Sequence, residues 1–333
     1  METLKNLILR ILYQILKKKA RNCALLLGVI LLLGLLVGFL FYYFATRENK
    51  LTFIVLGTIS LGIIFSFFHL MYSMRLDYLR KANQFIQILK DKGDAFIGIV
   101  NGVDYDEFSP ERDTIVRIPY NIDNFYFNKI DIKMKLLQRL GLKDNGKPLY
   151  SFVSRLTWQK GIDHLLVAAE FLAQNNNNIV ILGMGSSEDQ GKLEALRKRY
   201  PHYISVHFIF NNEIAHYLYA ASDFVLLPST FEPCGLSQIY AMRYGAIPVV
   251  RLTGGLKDTV IPYTGDNIDI ATGFGYSSSN PKDIIPILKD SYRFYFNLPK
   301  RKKLIRNAMS KDFSWNKSAQ EYLDIYTQLI NNY

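Results

Sequence analysis

Cysteine is scarce in this chain of 333 residues. The two cysteines, Cys23 and Cys234, lie far apart, the first at the start of a long apolar run and the second in a mixed polar stretch. Nothing supports a disulfide between them, and a metal site would need more ligands than they provide. The sequence therefore shows no sign of an oxidising compartment or of a metal centre.

Acidic residues are scarce in the first part of the chain. Residues 1–92 contain 13 lysines and arginines but only 4 aspartates and glutamates, so +9 of the total net charge of +11 lies there. Residues 93–333 are nearly balanced, with 27 basic and 25 acidic residues. A nucleic-acid-binding domain needs basic residues clustered on a folded face together with stacking aromatic rings. This charge distribution therefore argues against nucleic acid as a partner.

Long apolar runs are present in the same basic segment. Residues 23–44 and 51–72 are each free of Asp, Glu, Lys and Arg, and only the six residues ATRENK separate them. Each run is long enough to cross the hydrocarbon core of a bilayer. The sequence predicts a transmembrane hairpin over 23–72, preceded by an amphipathic basic helix in 1–22 and followed by a linker helix in 73–95.

The flanking charges predict the orientation of this hairpin. Lysines and arginines lie at 17–21 before it and at 75–81 after it. The positive-inside bias therefore places both termini and the remainder of the chain on the cytoplasmic, or stromal, side of a membrane. Residues 3–16 either lie in the plane of the membrane interface or form a short core helix.

From residue 96 onwards, short apolar stretches alternate with amphipathic ones. Apolar strands without polar alternation, separated by helices, are typical of a parallel sheet that is covered on both faces. The sequence predicts a Rossmann-like, doubly wound α/β domain over 96–333. Its expected strands are 96–100, 148–154, 178–183, 204–210, 223–229 and 246–250, and its expected helices are 162–174, 192–200, 213–222, 236–245 and two C-terminal stretches near 281–309 and 315–331.

Ligands of such sheets bind beyond the carboxyl ends of the strands, and three loops at these positions have unusual residues. Arg155 and Lys160 lie in the first loop, SRLTWQKG, where they suit a diphosphate unless they are ordinary solvated charges. The second loop, LGMGSS, contains Gly183 and Gly185, which allow a close backbone approach but also fit a plain turn.

The third loop is STFEPCGLS, and it places Glu232 between an apolar strand and a helix that begins near Gly235. The free N–H groups of a helix start favour an anion, so a carboxylate there makes sense if it faces sugar hydroxyls or a developing positive charge. The alternative is a glutamate that only caps the helix. A further loop of similar type contains Thr253, Gly254 and Gly255.

These stretches together resemble a known family. SRLTWQKGID, LGMGS, FEPCGLSQIYAMRYG and RLTGGLKDTV, with GIVNGVDYDEF upstream, are similar to the C-terminal half of bacterial glycogen synthase and plant starch synthase. These are retaining glycosyltransferases of the GT-B fold. The resemblance implies transfer of glucose from ADP-glucose to an α-1,4-glucan acceptor, without a cofactor or a catalytic metal.

The resemblance also implies roles for individual residues. Arg155 and Lys160 would hold the diphosphate of the donor, Glu232 would act beside the glucosyl ring as the catalytic residue, and Tyr240 would lie near the adenine or ribose. The remaining donor-binding residues implied in this way are Gly183, Gly185, Cys234, Gly235, Leu236, Ser237, Thr253, Gly254 and Gly255.

The chain departs from the family in its N-terminal part. The family's N-terminal domain contributes a Lys-x-Gly-Gly-Leu loop, a histidine and most of the glucan-binding surface, and the predicted hairpin stands in its place. Three interpretations remain open. The chain is a membrane-tethered glucosyltransferase whose missing half is a separate polypeptide, a non-catalytic nucleotide-sugar-binding membrane protein, or a truncated remnant.

Overall fold

The strands of the described residues form one parallel sheet. The computed structural model describes residues 83–331, together with residues 72, 73, 77 and 80. The strand order is β3-β2-β1-β4-β5-β6, and all five neighbouring pairs are parallel. The strands are β1 (Leu149–Val153), β2 (Asn178–Leu182), β3 (Ile204–His207), β4 (Phe224–Leu227), β5 (Ile247–Arg251) and β6 (Phe274–Tyr276). This order confirms the predicted doubly wound fold, because it reverses direction between β1 and β4.

Helices cover both faces of the sheet. On one face α2 packs against α3 and α7, and on the other α4 packs against α1 and α5. The helices are α1 (Phe125–Arg139), α2 (Ile162–Gln174), α3 (Ser187–Arg199), α4 (Asn212–Ala221), α5 (Ser237–Arg243), α6 (Gly255–Thr259), α7 (Ile284–Tyr295), α8 (Leu298–Met309) and α9 (Trp315–Asn331). Because helices shield both faces, the strands between them are apolar throughout.

The core confirms this reading of the apolar strands. In β1 and β2, Leu149, Tyr150 and Ile179–Ile181 are fully buried, and Phe224 of β4 is equally inaccessible. The register pairs Tyr150 with Ile179 on one side and with Phe224 on the other. The stacked rings of Tyr150 and Phe224, with centroids 5.0 Å apart, join the two halves of the sheet where its order reverses.

Charged residues hold the amino edge of the sheet. Lys133 of α1 forms an ion pair with Asp223, with Nζ and Oδ2 2.6 Å apart, and the same carboxylate oxygen accepts a hydrogen bond from the backbone N–H of Leu149. Asp223 directly precedes β4 and Leu149 begins β1, so this one carboxylate ties α1 to both central strands. Removing one partner of such a buried pair costs about 3–5 kcal/mol.

Several element boundaries differ from the prediction. Helix α3 begins at Ser187 rather than at 192, because the side chain of Ser186 accepts a hydrogen bond from the backbone N–H of Asp189 and caps the helix start. The stretch 281–309 contains two long helices, because α7 ends at Tyr295 and Asn297 caps the start of α8. The strand predicted for 204–210 ends at His207. Helices α1 and α6 and strand β6 were not predicted.

The strand predicted for 96–100 is wrong. These residues form no strand, and Phe96 and Ile97 are more than half exposed. The chain just after them attaches to the start of α9 instead. The N–H of Val103 donates to the carbonyl of Phe313, and the Ser318 hydroxyl donates to the carbonyl of Val100. An apolar run therefore does not form a strand where it has no sheet edge to pair with.

The predicted hairpin at 23–72 and the basic helix at 1–22 lie outside the described residues, apart from residue 72, which is helical. Of the predicted linker helix at 73–95, residues 73, 77, 80 and 83–91 are helical, and Gly93–Ala95 form a short 3₁₀ helix. No helix in the described part of the chain is long and apolar enough to cross a membrane.

Candidate functional site

A cavity of about 620 Å³ opens at the carboxyl edge of the sheet. Val153 and Leu182, the last residues of β1 and β2, form its floor, and residues of α4 and α5 form one wall. The edge beyond the central strands is where doubly wound sheets bind their ligands. The fold therefore places the cavity at the position that the sequence predicted for a site.

The structure brings the predicted site residues to this edge in two groups. The first group lines the cavity and comprises Arg155, Lys160, Gly183, Leu236, Ser237 and Tyr240. The second group lies in the adjoining loops without lining the cavity and comprises Gly185, Glu232, Cys234, Gly235, Thr253, Gly254 and Gly255. Lys160 connects the two groups, because it lines the cavity and also contacts Glu232.

Lys160 and Glu232 form an ion pair beside the cavity. The distance from Nζ to Oε2 is 2.5 Å, and the two side chains are 18% and 7% exposed. The Ser229 hydroxyl donates a second hydrogen bond to the same carboxylate oxygen, at 3.1 Å. Among the described residues no group donates to the other oxygen, Oε1. Glu232 is thus held on one side by a cation and a hydroxyl and keeps one acceptor oxygen for a ligand.

Backbone contacts fix the position of Lys160. Lys160 ends the short 3₁₀ helix Trp158–Lys160, and Thr230 of the Glu232 loop clamps this helix from the other side. The N–H of Thr230 donates to the carbonyl of Gln159 at 2.8 Å, and its hydroxyl donates to the carbonyl of Trp158 at 2.9 Å. These two hydrogen bonds therefore hold the loop that contains Lys160 against the loop that contains Glu232.

Arg251 supports the same loop, and the sequence analysis did not single it out. It ends β5 and is buried, with 8% of its surface exposed. Its Nη1 donates to the carbonyls of Ser229 and Thr230, at 3.2 and 2.7 Å, and its Nε donates to the carbonyl of Ser278 at 2.8 Å. Arg251 holds the backbone from which Glu232 projects.

The two glycines that follow Thr253 lie close to the backbone of Glu232, and the conformation of Gly254 shows why a glycine is needed there. Its φ of +47° lies in a region that favours glycine, and a Cβ there would come within 2.0 Å of the carbonyl oxygen of Glu232. The N–H of Gly255 donates to that same carbonyl at 2.9 Å. The glycines therefore serve a close contact with the Glu232 backbone.

Arg155 is the exposed cation of the cavity. Its guanidinium makes one side-chain hydrogen bond, a long one of 3.3 Å to Oε1 of Gln159. Gly183 lies across from it, where a Cβ would come within 1.8 Å of the carbonyl oxygen of Ser154. The loops after β1 and β2 are therefore in contact through their backbones. The Arg155 side chain is exposed to solvent and lines the cavity.

Two stacked aromatic rings form a wall of the cavity. The ring of Tyr240 lies 3.9 Å from that of Phe108, centroid to centroid, with 17° between the planes. On the other side of Phe108 lies the buried ring of His216, at 4.4 Å. The prediction selected Tyr240 but missed Phe108, because nothing in the local sequence shows that a residue 132 positions earlier lies against it.

A buried polar cluster stands behind this wall. Oδ2 of Asp113 accepts hydrogen bonds from Nδ1 of His216 at 2.9 Å and from the hydroxyl of Tyr244 at 2.6 Å. Burial raises the pKa of Asp113, but these bonds and those from backbone amides outweigh it, so the pKa lies below its usual value. An ionised Asp113 thereby fixes the His216 ring on which Phe108 stacks.

Exposed apolar residues form the rim of the cavity. Phe210 is 90% exposed, Met184 is 55% exposed and Ile209 is 46% exposed, and all three line the cavity. The sequence analysis included Ile209 and Phe210 in a buried strand, whereas β3 ends at His207 and leaves them in the loop before α4. An exposed aromatic ring at the rim of a cavity offers a stacking surface to a planar group.

Cys234 lies in the adjoining loop and is partly exposed. Burial raises the pKa of its thiol, so the neutral form prevails at neutral pH. The described residues contain no group of three or more His, Cys, Asp or Glu side chains that could hold a metal ion.

Fold and site together define a Rossmann-like α/β domain of the kind that occurs in GT-B glycosyltransferases. The chain belongs to the family of glycosyl transferases group 1, whose model matches residues 136–311. The matched range runs from the end of α1 to the residues just after α8, and it includes the whole sheet.

Individual relatives agree with this assignment. The chain is 40% identical over 262 residues to a glycogen synthase of Clostridium botulinum and 42% identical over 244 residues to a glycogen synthase of Clostridium perfringens. These matches cover 78% and 73% of this chain but 52% and 50% of the relatives, so the chain spans about half of their length.

A solved structure shows the same similarity. The catalytic domain of starch synthase IV from Arabidopsis thaliana, bound to ADP and acarbose, matches with a TM-score of 0.68 and 32% sequence identity. The match covers 73% of this chain and 50% of the starch synthase chain.

Proposed function

We propose that this chain is a glycogen- or starch-synthase-type glucosyltransferase that binds ADP-glucose in the cavity at the carboxyl edge. The observation that carries the proposal is that Arg155 and Lys160 line this cavity and that Lys160 pairs with Glu232 beside it. A diphosphate leaving group needs fixed positive charge, and a glucosyl centre that becomes oxocarbenium-like needs a nearby carboxylate. The similarity to glycogen synthases and to a starch synthase solved with ADP supports the same donor.

The diphosphate of the donor would lie between Arg155 and Lys160 on one side and the backbone N–H groups near Leu236 and Ser237 on the other. Arg155 suits this role because, among the described residues, its guanidinium makes only one long side-chain hydrogen bond. Its planar fork can bind two phosphate oxygens at once. Lys160 would share its ammonium between the phosphate and Glu232.

The glucosyl ring would lie next to the free oxygen of Glu232. Lys160 forms an ion pair with this nearly buried carboxylate. A carboxylate at this position stabilises positive charge at the reacting carbon as the nucleotide departs, with retention at that carbon. Thr253, Gly254 and Gly255 would support the sugar by way of the Glu232 backbone.

The base of the nucleotide would stack on the apolar rim. Phe210 presents its ring to solvent, and the stacked rings of Tyr240 and Phe108 line the same cavity. Stacking on an aromatic ring contributes about 1–3 kcal/mol per base and accepts any base. The preference for adenine in this proposal rests on the similar proteins rather than on the rim.

The acceptor in this proposal is the non-reducing end of an α-1,4-glucan, and no cofactor or metal takes part. We further propose that residues 23–72 tether the protein to a membrane as a two-helix hairpin, with both termini and the α/β domain on the cytoplasmic or stromal side. The length and the flanking charges of the two apolar runs support this arrangement. A separate polypeptide would supply the second half of the cleft.

A transfer assay tests the proposed activity. The full-length chain in mild detergent is incubated with a glucan primer and ADP-glucose labelled in the glucose, and label in the glucan is measured. We expect incorporation that Glu232→Ala abolishes, whereas Glu321→Ala, which removes an exposed carboxylate on α9, leaves it unchanged.

Donor binding without catalysis is a second candidate function, because this chain contains all the loops that would bind the donor. The chain would then be a non-catalytic nucleotide-sugar-binding membrane protein. This function would be supported if the chain binds ADP-glucose but transfers no glucose. Transfer should then also be absent after the N-terminal half of a glycogen synthase is added. Absence of both binding and transfer would rule out both.

A further inference from the structure

A second cavity lies at the amino edge of the sheet, opposite the one described above. Its volume is about 230 Å³, and its walls come from α1, α7, α8 and the segments that precede β1 and β4. Asp223, which ties β1 to β4 at this edge, is part of the lining. The two cavities share no lining residue, so their ligands can be studied separately.

Arg301 of α8 is the unusual residue of this cavity. It is 91% buried, and its side chain forms no hydrogen bond or ion pair within the described part of the chain. Its guanidinium lies over two rings that line the cavity, 4.1 Å from the centroid of Tyr295 and 5.7 Å from that of Tyr126. A guanidinium has five N–H donors, and because Arg301 lines the cavity, these donors are available to a ligand there.

The other charged groups inside this cavity leave the positive charge of Arg301 unbalanced. Lys129 lines it, and among the described residues it donates to backbone carbonyls, at 2.8, 2.9 and 3.4 Å, and to no carboxylate. Burial lowers the pKa of Lys129 to about 7. Lys133 is neutralised by Asp223, and the remaining acid, Asp144, is exposed at the rim. The positive charge of Arg301 is therefore not balanced inside the cavity.

A second donor faces the same space. The hydroxyl of Tyr295 accepts a hydrogen bond from Nζ of Lys133 at 3.3 Å. Its own proton has no acceptor within the described part of the chain. Apolar side chains of α1, among them the exposed Ile130 and Met134, also line the cavity. The cavity thus combines open hydrogen-bond donors with an apolar surface.

We propose that this cavity binds a phosphate group carried on a small organic molecule. The phosphate accepts hydrogen bonds from the guanidinium of Arg301 and the hydroxyl of Tyr295, and the organic part lies against Ile130 and Met134. An arginine fork matches the geometry of phosphate oxygens and is the preferred side chain where such a group is bound in a partly buried site.

Calorimetry on the full-length chain in mild detergent tests the proposal. The protein carries Arg155→Ala, so that phosphate binding at the other cavity is weakened, and it is titrated with glycerol 3-phosphate and with inorganic phosphate. We expect both to bind, the ester at least as tightly as the free ion. Arg301→Gln should weaken both by at least about tenfold, the effect of losing charge-assisted hydrogen bonds.

Arg306→Gln is the matched control, because Arg306 lies on the same helix and is exposed. The proposal is overturned if neither compound binds at millimolar concentration, if Arg301→Gln has no effect, or if Arg306→Gln has an equal one. It is also overturned if acetate binds as tightly as the phosphates. Should Arg301→Gln fail to fold, Tyr295→Phe removes only the hydroxyl and should still weaken binding about threefold to tenfold.

Discussion

The ion pair between Lys160 and Glu232 leads to a quantitative prediction about stability. The side chains are 18% and 7% exposed, and the Ser229 hydroxyl is the only other donor to the carboxylate within the described residues. Lys160→Met leaves Glu232 nearly buried without its cation, which costs about 3 kcal/mol when a buried pair loses one partner. The double variant, Lys160→Met with Glu232→Gln, no longer buries a lone charge. Its loss in free energy of unfolding should therefore be smaller than the sum of the two single losses, by about 2 kcal/mol.

Urea unfolding followed by far-UV circular dichroism measures these differences. The ion pair of Lys192 and Glu188 on α3 is the control, because its atoms are 2.8 Å apart while its side chains are 48% and 73% exposed. The corresponding changes there should cost at most about 0.5 kcal/mol. Equal losses at the two pairs, or a coupling below about 0.5 kcal/mol between Lys160 and Glu232, would refute the reasoning.

Two further predictions concern the cavity and its loops. Phe210→Ala should weaken ADP binding about tenfold while changing the free energy of unfolding by less than about 0.5 kcal/mol, because the ring is 90% exposed. Calorimetry and urea unfolding check this against Phe127→Ala, another exposed ring, which should leave ADP binding unchanged. Gly254→Ala should destabilise the protein by at least about 2 kcal/mol, because a Cβ would meet the carbonyl of Glu232 at 2.0 Å. Gly265→Ala has a positive φ but no neighbour within 4 Å, so an equal loss of stability there would contradict the role given to the close contact.

The parallel sheet was predictable from the sequence because its central strands are continuous apolar runs. The pattern also predicted α2 with its observed bounds, since its apolar face and the following asparagines mark both ends. Helix α1 was missed because lysines occupy two of its buried positions, Lys129 and Lys133, where their ammonium groups reach backbone carbonyls and Asp223. Strand β6 has only three residues, too few for a periodic signal.

The candidate site was predictable where it depends on loops that follow strands. Arg155, Lys160 and Glu232 lie in such loops, and the parallel sheet brings the carboxyl ends of its strands to one edge. Phe108 and Arg251 could not be found in this way, because their roles depend on contacts across the fold. The ring of Phe108 meets Tyr240 through tertiary packing, and Arg251 acts on backbone carbonyls more than twenty residues away.

Titration of the full-length chain with ADP tests the central claim most directly. The account predicts one calorimetric binding event that Arg155→Ala weakens by at least about tenfold, because the guanidinium is expected to bind phosphate oxygens. Arg199→Ala, which removes an exposed arginine of α3, should leave the affinity unchanged. Absence of ADP binding at millimolar concentration, or equal weakening by the two variants, would contradict a donor site at the carboxyl edge of the sheet.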